Sequence, residues 1–200
     1  MNKILENIKN RRSIRRYVED QIKDEELDMI IEAAIYAPTG NNDQAWHFTI
    51  IQNKEMIDYL NVEAKKIMAN IMENLPDDWF SIDEISGTAQ KVVKMGRAER
   101  VHIFHHAPTV IIISGKKDAT STLPDCCAAT QNILLAAESL DIGSCWIGIA
   151  RCSFENQDNI QKLGIPEGYK PYYAVSLGYK ASNKNVKAPK RNRDVVNYIK

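Results

Sequence analysis

The sequence predicts an α+β domain in which helices and strands are mixed rather than wound into regular βαβ units. Three observations carry this. Segments such as 24–35 and 54–75 place apolar residues at three- and four-residue spacing, the mark of amphipathic helices. Short β-branched runs such as Thr109-Val110-Ile111-Ile112-Ile113-Ser114 read as buried strands. The two kinds of segment follow one another without an even beat, and neither G-x-G-x-x-G nor G-x-x-x-x-G-K-[ST] is present. A two- or three-layer α+β arrangement is therefore favoured over a dinucleotide-binding doubly wound sheet.

Taken in order, a first helix is expected from about Met1 to Asn10. In the second, Asp24 suits the N-cap, and Glu25 and Glu26 suit the positive end of the helix dipole. Leu27, Ile30, Ile31 and Ala34 form its buried stripe, and Pro38 stops it. Thr39-Gly40-Asn41-Asn42-Asp43 is loop chemistry, and His47 to Gln52 reads as a buried strand. Residues 54–75 are helical, with Met56, Leu60, Ala64, Ile67 and Ile71 on one side, until Leu75-Pro76-Asp77-Asp78 breaks the pattern. An irregular stretch carrying Trp79 and Phe80 precedes a helix over 89–106, and Pro108 ends it. Asp125 to Leu140 is Ala-rich with few charges, so this helix is expected to be buried on most sides. Gly143 reads as its stop, Cys145 to Ala150 as a strand containing Gly148, about Ser153 to Leu163 as a short helix, and Pro171 to Gly178 as a strand. The tail from Lys180 to Arg193 is polar and basic. Val195 to Ile199 is too short for a free helix and suits an edge strand.

The composition narrows the function. The 200 residues suffice for one well-cored domain, and 44% hydrophobic with 26% charged residues is ordinary for a globular protein. Lys+Arg and Asp+Glu both number 26, so no bulk charge draws the chain to nucleic acid or acidic membranes. Met1 to Ile8 lacks a signal peptide's apolar core, and no apolar run is long enough to span a bilayer. Cys126, Cys127, Cys145 and Cys152 include no C-x-x-C pair and are expected as small buried thiols in a reducing compartment. A cytoplasmic protein with no nucleic-acid or membrane partner is the expectation.

Three segments carry chemistry. Arg11-Arg12-Ser13-Ile14-Arg15-Arg16 places four arginines and a hydroxyl within six positions. An Arg fork matches a phosphate bidentately, although a solvated basic turn has the same composition. Ala37-Pro38-Thr39-Gly40-Asn41-Asn42-Asp43-Gln44-Ala45-Trp46 offers amide side chains able to read a polar ring, or forms an ordinary connection beside a core Trp. Gly143-Ser144-Cys145-Trp146-Ile147-Gly148 is a buried strand, or one whose Gly148 lets a ligand approach the backbone. His102, His105 and His106 have ligand-compatible spacing, but no adjacent Cys or carboxylate in the sequence completes a set, so no metal is assigned.

In this order the segments resemble the nitroreductase family of flavoproteins. So do the Asp-x-x-x-x-x-Gln-Asn-x-Leu-Leu-Ala-Ala run from Asp125 and the closing Ile165-Pro166-Glu167-Gly168-Tyr169 with Leu177-Gly178-Tyr179. The resemblance covers nearly the whole chain, so residues 1–200 are expected as a single nitroreductase-like α+β domain. It implies a central mixed or antiparallel sheet flanked by helices, and a homodimer whose C-terminal strands are exchanged. Residues 180–200 would wrap the partner subunit.

It also implies bound flavin mononucleotide (FMN), with NADH or NADPH as electron donor. The electrons would pass to a small acceptor such as a nitroaromatic or quinone in ping-pong order. Phosphate and ribityl contacts would fall on Arg11, Arg12, Ser13 and Arg15, with Lys190 or Arg191 adding a cation. Pro38, Thr39, Gly40 and Asn42 would come from the other subunit. Trp146, Ile147 and Gly148 would lie by the ring, with the Gly148 N–H toward flavin N5. No protein side chain is expected to be catalytic, since the cofactor carries the redox chemistry. Trp79 and Phe80 would cap the pocket or anchor a loop. Ala45 departs from the Pro usual in that loop, which would loosen it, and residues 60–75 offer no assignable contact to the pyrimidine ring. Rival readings are a reductive-dehalogenase-like chemistry, a flavin carrier or sensor without turnover, and an Arg-patch binding module.

Overall fold

The computed structural model describes residues 2–73, 101–182 and 187–200. The expected break at 75–78, Trp79, Phe80 and most of the 89–106 helix lie outside the described residues. The elements are α1 (Lys3–Asn10), α2 (Asp24–Ile35), β1 (Trp46–Ile51), α3 (Lys54–Glu73), β2 (Thr109–Lys116), α4 (Thr122–Ser139), β3 (Ile142–Ile147), α5 (Gln157–Lys162) and β4 (Tyr169–Tyr179). Short 3-10 turns occupy Gly40–Asn42 and Gly148–Phe154.

The four strands form one sheet in the order β1-β2-β4-β3, with every neighbouring pair antiparallel. β2 lies inside it, and seven of its eight residues are buried. Its continuous apolar run follows from helices covering both faces. Side chains alternate across a strand, so Val110 and Ile112 enter one core with Ile57, Leu60, Ala64 and Met68 of α3. Ile111 and Ile113 enter the other with Ile30 and Ala34 of α2 and Ala129 and Ile133 of α4. The result is three layers, as α+β patterning allows.

The helices follow their local chemistry, with small shifts. Asn2 caps α1, its side chain accepting from the N–H groups of Ile4 and Leu5. α2 begins at Asp24 itself, with Lys23 in the N-cap position. The Glu26 carboxylate accepts the Lys23 N–H at 3.2 Å and also the Tyr179 hydroxyl, tying the end of β4 to the start of α2. In α3 the fully buried line is Ile57, Leu60, Ala64 and Met68, while Met56 is half-buried. Of α4's residues, Leu123, Pro124, Gln131 and Ser139 alone are exposed, as its low charge predicts.

The region around β3 departs most from expectation. α4 ends at Ser139, and the reversal uses Asp141 in a left-handed conformation (φ 57°) rather than Gly143. β3 therefore starts at Ile142, and residues 148–154 turn instead of extending it. Gly143 is inside the strand because the N-terminal segment crosses it there. A Cβ on Gly143 would lie 2.8 Å from Ile14 Cγ2 and 3.1 Å from the Gly178 carbonyl oxygen. Gly143→Ala is expected to destabilise the fold by about 1–3 kcal/mol, the usual cost of overpacking. Thermal or urea unfolding against wild type measures this.

That N-terminal segment is a strap on the outer edge of β3. Ile14 N–H donates to Ser144 O at 2.9 Å, and Ser13 bridges Ser144 in parallel. The strap then reaches the end of β4, where Val18 N–H donates to Tyr179 O at 3.1 Å and Ala181 N–H to Arg16 O at 3.2 Å. Tyr17 fixes the bend, its hydroxyl donating to Ile14 O at 2.5 Å. Residues 187–200 form no regular element in the single chain.

Candidate functional site

The strap delivers three of the four expected N-terminal site residues to one place. Cys145 is 2% exposed beneath it. Burial pushes the Cys145 thiol up. The Arg15 guanidinium and the Ser13 hydroxyl oppose that rise, as does the charge of Arg11. Arg15 also bears on His105, whose pKa is lowered to about 4, by burial first and then by that guanidinium. Arg11, Ser13 and Arg15 thus make a cationic, hydroxyl-bearing cluster on the β3 edge.

Arg12 is also engaged locally. Its guanidinium donates to Lys9 O at 2.6 Å and Arg11 O at 2.7 Å, closing the carbonyl end of α1. The resemblance groups Arg12 with Arg11 and Arg15, whereas the structure also sets Arg12 on the end of the helix.

At the C-terminal end of β3, Trp146 is half-buried and packs edge-on against Tyr173, with ring centroids 4.8 Å apart. Ile147 is buried, and Gly148 emerges into the open. A Cβ built on Gly148 meets nothing within 4 Å. The glycine therefore leaves backbone exposed to whatever occupies the space beyond the end of the strand.

The loop from Pro38 to Gln44 is rigidly built but stands elsewhere. Gly40 N–H donates to Asp125 Oδ1 at 3.2 Å, Asn41 Nδ2 to Thr120 Oγ1 at 3.2 Å, and Thr120 N–H to Asp43 Oδ2 at 3.0 Å. Asn41, Asn42 and Gln44 all hold left-handed backbone (φ 50°, 58° and 46°), a conformation that persists where its surroundings enforce it. Ala45 does not loosen it, being 3% exposed with its carbonyl accepting the Lys116 N–H at 2.9 Å. Asp125 is 4% exposed, and sequence reading placed it at the head of a helix and of a family-like run without assigning it a partner. Its long-range bond to Gly40 is the signal that reading lacked.

This loop leads into β1, the edge strand opposite β3. With strands about 4.8 Å apart, the two edges are separated by roughly 14 Å. The fold thus brings Arg11, Ser13, Arg15 and Gly148 to one edge and sets Pro38, Thr39, Gly40 and Asn42 at the other. Lys190 and Arg191 are exposed in the tail, whose root at Lys180 and Ala181 lies beside the strap.

A second cluster appears where the sequence showed isolated histidines. Residues 101–106 are not helical, and His105 and His106 have φ of 57° and 53°. Asp58 of α3 supplies the carboxylate that the linear spacing lacked, its Oδ1 lying 3.1 Å from His102 Nε2.

The chain is similar to known proteins over nearly its whole length. The family model described as "Nitroreductase family" matches residues 8–179. A solved nitroreductase with bound FMN from Bacteroides fragilis superposes with a TM-score of 0.84 at 32% identity, covering 100% of both chains. Another with bound FMN, from Desulfitobacterium hafniense, gives 0.80 at 29% identity, again over 100% of both chains. An FMN reductase [NAD(P)H] of Bacillus subtilis is 27% identical over 99% of this chain and 74% of its own length. From strap to final strand, the matched residues include the cationic edge, the strained loop and the whole sheet, and the chain belongs to the nitroreductase family.

Proposed function

We propose that this chain is an FMN-dependent oxidoreductase that takes electrons from NADH or NADPH and passes them to a small acceptor such as a nitroaromatic or quinone. The observation that carries the reading is the gathering of Arg11, Ser13 and Arg15 around Cys145 of β3, the strand whose C-terminal end opens at the uncovered backbone of Gly148. An FMN phosphate is a dianion, and two guanidiniums with a hydroxyl fit it. A flat ring system needs an approach free of side chains, and Gly148 offers one. When bound, FMN supplies the hydride chemistry.

The chain's own residues then have defined tasks. Arg11 and Arg15 neutralise and orient the phosphate, and Ser13 donates a hydrogen bond to it. Trp146, Ile147 and Gly148 form the wall against the ring. Pro38, Thr39, Gly40 and Asn42 of a second copy complete the site, because one protomer carries them on its far edge. Lys190 or Arg191 brings a further cation from the tail. Donor and acceptor use the same space in turn, which gives ping-pong kinetics. The four free cysteines suit a reducing cytoplasm, and among the described residues no helix is long and apolar enough to cross a membrane.

The test is direct. Purified protein is expected to be yellow, to bleach anaerobically with NADH or NADPH, and to regain colour with a nitroaromatic. A colourless protein that takes up no added FMN rejects the reading, and a yellow protein that neither nucleotide bleaches leaves a flavin carrier instead. Cys145 is buried and has no chemical role here. Cys145→Ala is expected to keep its rate of flavin reduction within about threefold of wild type, less than 1 kcal/mol of barrier. Stopped-flow measurement of the FMN-loaded variant checks this, and a loss of orders of magnitude contradicts it.

A further inference from the structure

The geometry points to a divalent transition-metal site at Asp58, His102 and His106, joining α3 to the turn before β2. The three side chains place their ligand atoms within 4.8 Å of one another. Two come from the turn and one from a helix 44 residues away in sequence. On a tetrahedral zinc ion with bonds of about 2.0–2.1 Å, neighbouring ligand atoms stand about 3.3 Å apart. The Asp58 Oδ1 to His102 Nε2 separation of 3.1 Å is already of that size.

The turn is shaped to present the second imidazole. His105 and His106 both adopt left-handed backbone, rare for residues other than glycine. This brings the His106 ring over the His102 ring, with centroids 4.2 Å apart. His102 is buried, Asp58 is half-buried and His106 is exposed. The site is thus anchored on one side and open on the other, where a water completes four-coordination. Two imidazoles and a carboxylate suit Zn²⁺ and its neighbours better than Mg²⁺ or Ca²⁺, which take oxygen ligands.

Two existing contacts must change on loading. The His106 N–H donates to His102 Nδ1 at 3.3 Å, so His102 Nε2 carries the proton that points at Asp58. With the metal on Nε2 that proton moves to Nδ1 through solvent, and the long bond to the His106 N–H opens. The other Asp58 oxygen pairs with Lys54, whose side chain is 84% exposed. Lys54 competes with the metal for the same carboxylate and can swing into water. Removing it should therefore strengthen metal binding, an effect that a purely structural Asp58–His102 contact does not predict.

The experiment is calorimetric titration of the full-length, tag-free protein with Zn²⁺ alone in phosphate-free buffer. One equivalent is expected to bind. Asp58→Asn and His106→Ala should each weaken binding by at least about tenfold, or roughly 1.4 kcal/mol. Lys54→Ala should tighten it severalfold. Co²⁺ should show the visible ligand-field bands of a four-coordinate ion, which Zn²⁺ abolishes. His106 and Lys54 are exposed, so their variants report on binding rather than folding. Wild-type Zn²⁺ affinity in His106→Ala, no tightening in Lys54→Ala, or no stoichiometric binding at all overturns the proposal.

Discussion

Arg11→Ala and Arg15→Ala are each expected to weaken FMN retention by about ten- to a hundred-fold, with Arg16→Ala close to wild type. A charge-assisted hydrogen bond contributes about 1.5–3 kcal/mol, and each 1.4 kcal/mol or so is tenfold in affinity. Arg11 and Arg15 share the ground around Ser13 and Cys145 where the phosphate is proposed to sit. Arg16 is exposed, as is Arg15, but Arg16 does not bear on Cys145, and its carbonyl, which accepts the Ala181 N–H, survives truncation to Ala. Arg12 separates two ideas that the sequence merges. Its guanidinium closes the end of α1, so Arg12→Ala should lower thermal stability while changing FMN affinity less than either neighbour. Fluorescence titration of apoprotein with FMN measures all four variants. Equal dissociation constants for Arg11→Ala, Arg15→Ala and Arg16→Ala would remove the phosphate assignment.

The same arginines mark how far the sequence could be read. Periodicity is local, so α2, α4 and the β-branched β2 were legible from their own residues. The buried line of α3 was displaced by one position at its ends, with Ile57 and Met68 in place of Met56 and Ile67. One residue is about 100° of helix rotation, and the choice between flanking apolar residues belongs to the sheet beneath. β3 was misplaced because its first half, Ile142-Gly143-Ser144, has no strand signature. It becomes a strand by pairing with β4 on one side and the strap on the other. Long-range contacts also decide the rest. Gly143 answers to Ile14, Asp125 to Gly40 and His102 to Asp58. No spacing rule within a segment contains such pairs. The resemblance to a family supplied the grouping of site residues, and the fold then distinguished Arg12 from its neighbours.

The full chain should be a twofold homodimer of 22.7 kDa protomers, and removal of residues 183–200 should cost both the dimer and the FMN. The single chain leaves much apolar surface uncovered. Val195, Val196, Tyr198 and Ile199 in the tail are 61–96% exposed, and Ile4, Leu5 and Ile8 of α1 are 46–69% exposed. Among the described residues β1 is an edge strand, and its Ile50 is 42% exposed. Water-exposed edges and apolar faces of this kind are normally covered, and a tail of β-branched residues from a second copy supplies both a strand and side chains. The cut belongs after Ser182 because Tyr179 holds Glu26 and Ala181 pairs with Arg16. A shorter chain would damage the protomer itself. Truncation there removes Lys190 and Arg191 along with the apolar end, so the protein should fall to a monomer and lose FMN affinity by at least about tenfold, the effect of one charged contact. Light scattering with an FMN titration reads both changes together. A yellow, active monomer of the full chain at micromolar concentration is incompatible with a site shared between subunits, since the loop at Pro38 to Asn42 would then have to cross the width of its own sheet.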